Sequence, residues 1–213
     1  MAKHSSYIFL IFTLFSSAIL SGCATKPSNE FKTIVPQQSV EQRTTQLRQI
    51  NQWNIRGKIA FIDQKKNKRE SANIAWQVNN VYQTQELNLT SYLGINVLHL
   101  TSKNNAHLIK VNGKEYKSNN LAQLIYSLTG LTLPTDALSF WLKGLAYQSS
   151  DKIVYSSETR LPISLLSGFD NTQWQINYSH YQLFNGLQMA TQFTIKKDDL
   201  LIKVALKSWT FLN

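Results

Sequence analysis

The chain has 213 residues, 43% of them hydrophobic, and a formal net charge of +10 at pH 7. Its single cysteine, Cys23, excludes a disulfide within the chain and a metal site built from several cysteines. The length fits one domain with a sizeable core, and the charge is compatible with anionic lipid head groups, an acidic protein partner or nucleic acid.

The N-terminal segment has the organisation of a secretory signal. Lys3 and His4 precede an uncharged apolar run from Tyr7 to Leu20, which is too short to span a bilayer comfortably. The run leads into LSGC (residues 20–23), which resembles the lipobox of bacterial lipoprotein precursors. Residues 1–22 are therefore predicted to be a lipoprotein signal peptide.

The resemblance to lipoprotein precursors implies that Cys23 carries S-diacylglycerol and, after cleavage behind Gly22, an N-acyl group. The alternatives are an ordinary signal peptide with Cys23 as a bystander, or an uncleaved anchor. In bacterial lipoproteins an Asp after the cysteine favours the inner membrane, so Ala24 indicates a lipid anchor in the outer membrane, with the domain facing the periplasm. Export also makes nucleic acid the weakest of the three partner classes.

Residues 23–38 are predicted to be an acylated N terminus followed by a flexible tether, because the segment is polar and contains Pro27 and Pro36. A single domain then occupies residues 39–213. Its first element is a helix over 40–51, which begins with a capping box formed by Ser39 and Gln42.

An alternation of apolar and polar residues begins at Trp53 and predicts two antiparallel strands, WNIRGKIAF (53–61) and ANIAWQV (72–78). The charged segment QKKNKRE (64–70) is interpreted as the solvated tip of their hairpin. Another strand begins at Leu87, and Asn112-Gly113 is the preferred sequence of a type I′ hairpin turn.

The middle of the chain is predicted to be helical. Leu121, Leu124, Ile125 and Leu128 form an apolar stripe that ends at Gly130, and Pro134 opens a second short helix. Alternating strands resume at Ile163 and continue to Leu206. The sequence therefore predicts an α+β fold in which helices interrupt an antiparallel sheet, and so many strands are expected to curl toward a barrel.

These segments, taken together, resemble the LolB family of outer-membrane lipoprotein receptors. The resemblance is carried by the lipobox, the two strand sequences above, LNLTSYLGINVLHL (87–100), LTGLTLP (128–134), LSFWLKGL (138–145) and a closing strand with Trp209. It implies a curved, incomplete antiparallel β-barrel with a helical lid over an apolar cavity. It also implies a receptor that accepts acylated lipoproteins from the periplasmic carrier LolA and inserts them into the phospholipid of the outer membrane.

The candidate acyl cavity consists of apolar residues on the expected inner face of the sheet and on the two helices. An acyl-chain site needs such a lining without buried charge. The alternative is that these side chains simply fill the core. The predicted lining residues are Trp53, Ile55, Ile59, Phe61, Ile74, Trp76, Leu87, Leu89, Leu121, Leu124, Phe140, Trp141 and Leu142.

A candidate membrane-delivery loop contains Tyr92, Leu93 and Gly94. Turns usually combine glycine with polar residues, whereas this one is apolar. The alternative is one buried strand from Leu87 to Leu100, which would be unusually long and would carry Gly94 near its centre. In the LolB family an exposed leucine at this position helps to place cargo in the membrane, and the resemblance implies that role for Leu93.

Two other classes compete with a receptor. The sequence contains no Gly-x-Ser-x-Gly elbow, His-Glu-x-x-His, phosphate loop or cysteine cluster, so an enzyme would need a site assembled in space, for example from Asp170, His180 and a serine. A structural or assembly lipoprotein of the cell envelope would share Cys23 but would need no acyl cavity. We expect no catalytic residue, no metal, no cofactor and a monomeric protein.

Overall fold

A computed structural model describes residues 38–130 and 133–212. These residues belong to one compact unit, Pro36–Asn213. The predicted signal peptide, Cys23 and nearly all of the tether lie outside the described residues.

The described part of the chain contains eleven strands in one antiparallel sheet, in the order β6-β5-β4-β3-β2-β1-β11-β10-β9-β8-β7. Consecutive strands pair along the chain from β1 to β6 and from β7 to β11, and β1 also pairs with β11, which joins the two series. The outer strands β6 and β7 do not pair, so the sheet is open. The strands are β1 Gln52–Asp63, β2 Lys68–Asn79, β3 Thr84–Thr90, β4 Asn96–Lys103, β5 Ala106–Val111, β6 Lys114–Ser118, β7 Lys152–Tyr155, β8 Pro162–Ser167, β9 Trp174–Phe184, β10 Leu187–Lys197 and β11 Leu200–Leu212.

Three α-helices accompany the sheet in the described residues: α1 Val40–Gln49, α2 Leu121–Thr129 and α3 Thr135–Trp141. A short 3-10 helix, Phe169–Asn171, precedes β9. The predicted capping box starts α1, since the Ser39 hydroxyl accepts the Gln42 N–H and the Gln42 side chain accepts the Ser39 N–H. Helix α1 ends two residues earlier than predicted.

One hydrophobic core joins the inner face of the sheet to the helices. Alternation buries Trp53, Ile55 and Ile59 of β1 and leaves Arg56 and Lys58 exposed, because successive side chains of a strand point to opposite faces. Helices α2 and α3 add Leu121, Leu138 and other apolar residues to the same core. The predicted α+β fold with an incomplete antiparallel barrel is confirmed.

The close approach of β1 and β11 depends on Gly57. A Cβ atom at Gly57 would lie 2.2 Å from the carbonyl oxygen of Ala205 and 2.7 Å from the Cα of Leu206. The register between the two strands shifts between Arg56 and Gly57. A side chain at this position would therefore push apart the central strand pair of the sheet.

Two buried cations attach α1 to the rest of the fold. Arg43 donates hydrogen bonds to the carbonyl oxygens of Gln188 (3.1 Å) and Lys143 (3.5 Å). Lys143, which is 4% exposed, donates from Nζ to the carbonyl oxygen of Leu47 at 3.4 Å. Burial, with a contribution from Arg48, lowers the pKa of Lys143 to about 8.

Candidate functional site

An apolar cavity of about 310 Å³ lies between the inner face of the sheet and α2. This volume falls at the lower end of the range for small-molecule sites, about 300 to 1,000 Å³. Most of its wall is aliphatic or aromatic, and Glu70, Ser71 and Asn112 are the polar residues of the lining. The lining residues are Phe61, Glu70, Ser71, Ala72, Leu89, Val97, Leu98, Val111, Asn112, Ile125, Leu128 and Leu133.

The sheet register places the strand residues of this wall. Phe61 of β1 lies directly opposite Glu70 of β2, and Leu89 of β3 lies opposite Leu98 of β4. Since directly opposite residues share a face of the sheet, Glu70 lies on the same side as Phe61. The Glu70 carboxylate forms an ion pair with the Lys68 ammonium at 2.7 Å, so this rim of the cavity is charged although its interior is apolar.

Helix α2 forms the opposite wall. Asn120 caps its N terminus by accepting the Gln123 N–H at 3.0 Å. Gly130 ends it in the left-handed conformation (φ 68°), and its N–H bonds to the carbonyl oxygen of Tyr126. These boundaries and the helical period turn Ile125 and Leu128 toward the cavity.

The loop between β3 and β4 exposes consecutive apolar side chains. Tyr92 is 93% exposed, Leu93 80% and Ile95 64%. The strands end at Thr90 and resume at Asn96, so the predicted break is confirmed and the single long strand is wrong. Gly94 has a φ of 78°, a conformation that favours glycine.

Val97 connects the loop to the cavity. Its side chain is 46% exposed and also lines the cavity wall. The register of β3 and β4 shifts just there, since Leu89 pairs with Leu98 whereas Thr90 pairs with Asn96. Val97 is thus the extra residue of a bulge, which re-aims side chains locally. Val97 therefore belongs to the cavity wall and lies two residues from the exposed Ile95 of the loop.

Two of the residues predicted for an acyl cavity, Phe61 and Leu89, line the observed one. The others lie in the core or against it: Trp53, Ile55, Ile59, Ile74, Trp76, Leu87, Leu121, Trp141 and Leu142 are buried, and Leu124 and Phe140 are partly buried. Their acyl-binding role stays a prediction.

The cavity wall also contains residues outside the predicted set, including Val97, Leu98, Val111 and Leu133. Ile125 and Leu128 belong to the same apolar stripe as Leu121 and Leu124. This stripe could have identified both of them as lining residues. Nothing in the sequence pattern distinguishes Val97 from an ordinary strand residue, because its exposure depends on the bulge.

Trp141 lies away from the cavity, in an aromatic cluster. Its ring is fully buried, with its centroid 5.6 Å from that of Trp174 and 6.1 Å from that of Phe169. Its indole N–H donates to Asp151 Oδ2 at 3.4 Å, and its carbonyl accepts the Tyr178 hydroxyl at 2.9 Å. These contacts make Trp141 a packing centre for α3.

The residues considered for an enzyme do not meet. Asp170 lies in the 3-10 helix and His180 lies within β9, where its ring contacts the neighbouring Ser179 at 3.2 Å. A buried contact of 2.7 Å does join His107 Nδ1 to Ser102 Oγ, and burial lowers the pKa of His107. Within the described ranges, no carboxylate hydrogen-bonds to that histidine.

No group of three or more His, Cys, Asp and Glu side chains is placed to hold a metal ion in the described part of the chain. Across 38–130 and 133–212, no helix combines the length and apolar character needed to cross a bilayer.

Comparison of folds identifies similar solved structures. A LolA superfamily protein from Nitrosomonas europaea superimposes with a TM-score of 0.53 at 5% sequence identity, covering 83% of this chain and 94% of that one. A DUF1329 family protein from Desulfovibrio piger gives a TM-score of 0.52 at 7% identity, covering 81% and 90% of the two chains. At such low identity these similarities concern the fold alone.

Comparison of sequences is more specific. The family described as "Outer membrane lipoprotein LolB" matches residues 51–209. Outer-membrane lipoprotein LolB of Aeromonas hydrophila is 31% identical over 202 residues, which cover 94% of this chain and 95% of the relative. LolB of Pseudoalteromonas translucida is also 31% identical, over 207 residues, 96% of this chain and 94% of the relative. The chain therefore belongs to the LolB family of outer-membrane lipoproteins.

Proposed function

We propose that this protein is a receptor that takes acylated lipoproteins from the periplasmic carrier LolA and delivers them into the outer membrane. The observation that carries the proposal is that Val97, which lines the cavity, lies four residues from Leu93 in the exposed apolar loop. An acyl chain that leaves the cavity beside this loop would remain near apolar side chains, whereas full exposure to water would cost about 0.8 kcal/mol for each methylene group.

The direction of transfer follows from relative affinities. The equilibrium for transfer of a ligand from one protein to another is set by the difference between its two binding free energies. The cavity has to bind the acyl chains more tightly than the carrier does and less tightly than the bilayer. No nucleotide or covalent step is then needed.

The N-terminal part of the proposal concerns residues 1–38. Residues 1–22 are removed, Cys23 is acylated on its sulfur and its amino group, and residues 24–38 act as a tether for a single monomeric domain. Several acyl chains on one cysteine would anchor the domain stably, whereas one chain would anchor it only marginally. The domain would then work at the surface of the phospholipid bilayer that receives the cargo.

The test is to produce residues 24–213, which include the whole compact unit, in the periplasm and to analyse co-purifying molecules by mass spectrometry. Purified LolA loaded with a labelled lipoprotein is then mixed with this protein. Acyl chains in the purified protein and transfer of the label from LolA are the expected results. An empty domain to which no label moves would instead support a structural or assembly lipoprotein of the envelope.

A further inference from the structure

Strand β2 has one unpaired edge beside the cavity. Residues 73–79 of β2 pair with β3, but residues 68–72 pair only with β1. The chain leaves the sheet after Thr90, and the Ser91–Ile95 loop takes the place of further β3 residues. The side-chain Nδ2 of Asn73 donates to the carbonyl oxygen of Ser91 at 3.3 Å, which holds the loop at the point where the open edge begins.

The hydrogen-bond pattern shows which backbone groups face this edge. The Asn80 N–H donates to the Asn51 carbonyl oxygen at 2.8 Å, next to the pairing of Gln52 with Asn79. Antiparallel strands alternate between hydrogen-bonded and non-hydrogen-bonded pairs, so the even-numbered residues of β2 bond to β1. The N–H and C=O groups of Arg69 and Ser71 therefore point to the open edge.

The same stretch forms part of the cavity wall, since Glu70, Ser71 and Ala72 all line it. In a lipoprotein the acyl chains are attached to the first residue of the polypeptide. If the acyl chains occupy the cavity, this wall offers the peptide that follows a path out of it. Five residues at about 3.4 Å each give an edge of about 17 Å, which is long enough for four or five residues of an extended peptide.

We infer that the open edge of β2, residues 68–72, binds the peptide that follows the acylated cysteine of a cargo lipoprotein as an added antiparallel strand. The inference rests on the proposed function, because it requires the acyl chains to lie in the cavity. The peptide would continue along the line that β3 follows up to Thr90. Main-chain hydrogen bonds of this kind are largely independent of side chains, so one receptor could hold cargo of many sequences.

The charges of the edge favour a temporary partner. Lys68 and Arg69 are exposed, and charged residues on an edge strand oppose stable pairing with another sheet. A short flexible peptide can still pair, because it brings no second sheet edge. The edge would thus hold the cargo chain while discouraging aggregation of the receptor.

The test compares four synthetic probes on residues 24–213. The first is triacylated cysteine amide, and the second is the same group followed by a six-residue peptide without proline. The third and fourth carry N-methyl groups on the odd-numbered or the even-numbered amides of that peptide. Since only alternate amides of an added strand face β2, we expect one methylated probe to bind about fivefold to tenfold more weakly than the other.

A pair of variants tests the protein side. Arg69→Pro and Arg69→Ala both lose the guanidinium, but only the proline also removes the N–H that faces the edge. We expect the proline variant to bind the unmethylated peptide probe about fivefold more weakly than the alanine variant, and both to bind triacylated cysteine amide equally.

The outcomes separate the two proposals. Equal binding of the two methylated probes would overturn the strand-addition inference, even if Arg69→Pro failed to fold. Failure of triacylated cysteine amide to bind at all would contradict the proposed receptor function instead.

Discussion

The backbone N–H of Ser91 donates a hydrogen bond to the carbonyl oxygen of Ile95 at 2.8 Å, which closes the base of the loop that carries Leu93. The Ser91 hydroxyl accepts the Ile95 N–H at 3.2 Å, and the Gly94 N–H bonds to the Ser91 carbonyl oxygen at 3.0 Å. Leu93 is therefore displayed by a closed turn, and its exposure does not depend on local unfolding.

Leu93→Glu is expected to leave the fold and the uptake of cargo intact and to slow delivery into liposomes at least about tenfold. Inserting a leucine side chain into the bilayer is worth about 1.5 to 3 kcal/mol, whereas a carboxylate is repelled by the apolar interior. Cargo release from loaded receptor to liposomes measures the effect, together with thermal unfolding.

Val81→Glu is the matched control for Leu93→Glu. Val81 is 59% exposed and precedes β3, whereas the Leu93 loop follows it, so the two residues lie at opposite ends of that strand. Delivery by this variant should match the wild type. Equal delivery by the two glutamate variants would remove the proposed role of Leu93.

Ala72→Phe is expected to weaken the binding of a fluorescent acyl probe about tenfold, because the new ring would occupy space that the cavity leaves open beside Ala72. Ala75→Phe adds the same ring to the same strand on the opposite face, and should bind the probe normally. Titration of the probe against both variants measures the difference. Unchanged affinity in Ala72→Phe would show that the acyl site lies elsewhere.

Gly57→Ala is expected to lower the free energy of unfolding by about 2 to 4 kcal/mol, because its methyl group would overlap the backbone of β11. Gly168→Ala is the control: its Cβ would meet no atom closer than 3.9 Å. Urea unfolding of both variants makes the comparison. A Gly57→Ala domain as stable as the Gly168→Ala domain would show that β1 and β11 can move apart without lowering the free energy of unfolding.

Lys143 is expected to make the domain more stable as the pH rises from 8 toward 10. The pKa of Lys143 is about 8 in the folded chain and returns to its ordinary value of 10.5 on unfolding. Between pH 8 and pH 10 the unfolded chain binds more protons than the folded chain, so the free energy of unfolding increases with pH. The increase from pH 8 to pH 10 is about 2 kcal/mol.

Lys143→Met should lose this pH-dependent increase, whereas Lys152→Met, at an exposed position of β7, should keep it. Urea unfolding at half-unit steps from pH 7 to 10 gives the two curves. Parallel curves for the wild type and Lys143→Met would mean that Lys143 keeps its proton throughout.

Cys23→Ser is expected to abolish acylation and leave the domain folded, since Cys23 precedes every strand and helix of the described residues. Labelling with radioactive palmitate measures acylation, and circular dichroism measures folding. A substituted protein that still incorporated palmitate would contradict the assignment of the lipid to this thiol.

The sequence predicted local structure well where short-range chemistry determines it. The capping box at Ser39 and the left-handed Gly130 both occur as predicted. Asn112 and Gly113 both have positive φ, 51° and 74°, as a type I′ turn requires. In each case the residues that determine the conformation lie within four positions of one another.

The cavity was harder to predict because it depends on contacts between distant segments. Trp53 faces inward as expected, but its ring meets Trp76 at 5.2 Å and Trp209 at 5.7 Å between centroids, so it packs instead of lining a void. Periodicity predicts the face of the sheet to which a side chain points, but it does not predict which residues pack against that side chain. The short strand β7 was missed because Lys152–Tyr155 is only four residues long.

The pairing of β1 with β11 has a consequence for how the protein matures during export. All other strand pairs join neighbours in the chain and can form as soon as both strands have emerged. Strand β1, in contrast, pairs with β11, so that Gln52 lies opposite Leu212. During translocation the first strand therefore waits, with the backbone N–H and C=O groups of one edge unpaired, until the last strand arrives. We expect this interval to be the time when the nascent protein is most vulnerable to aggregation and proteolysis, and most dependent on the chaperones of the envelope.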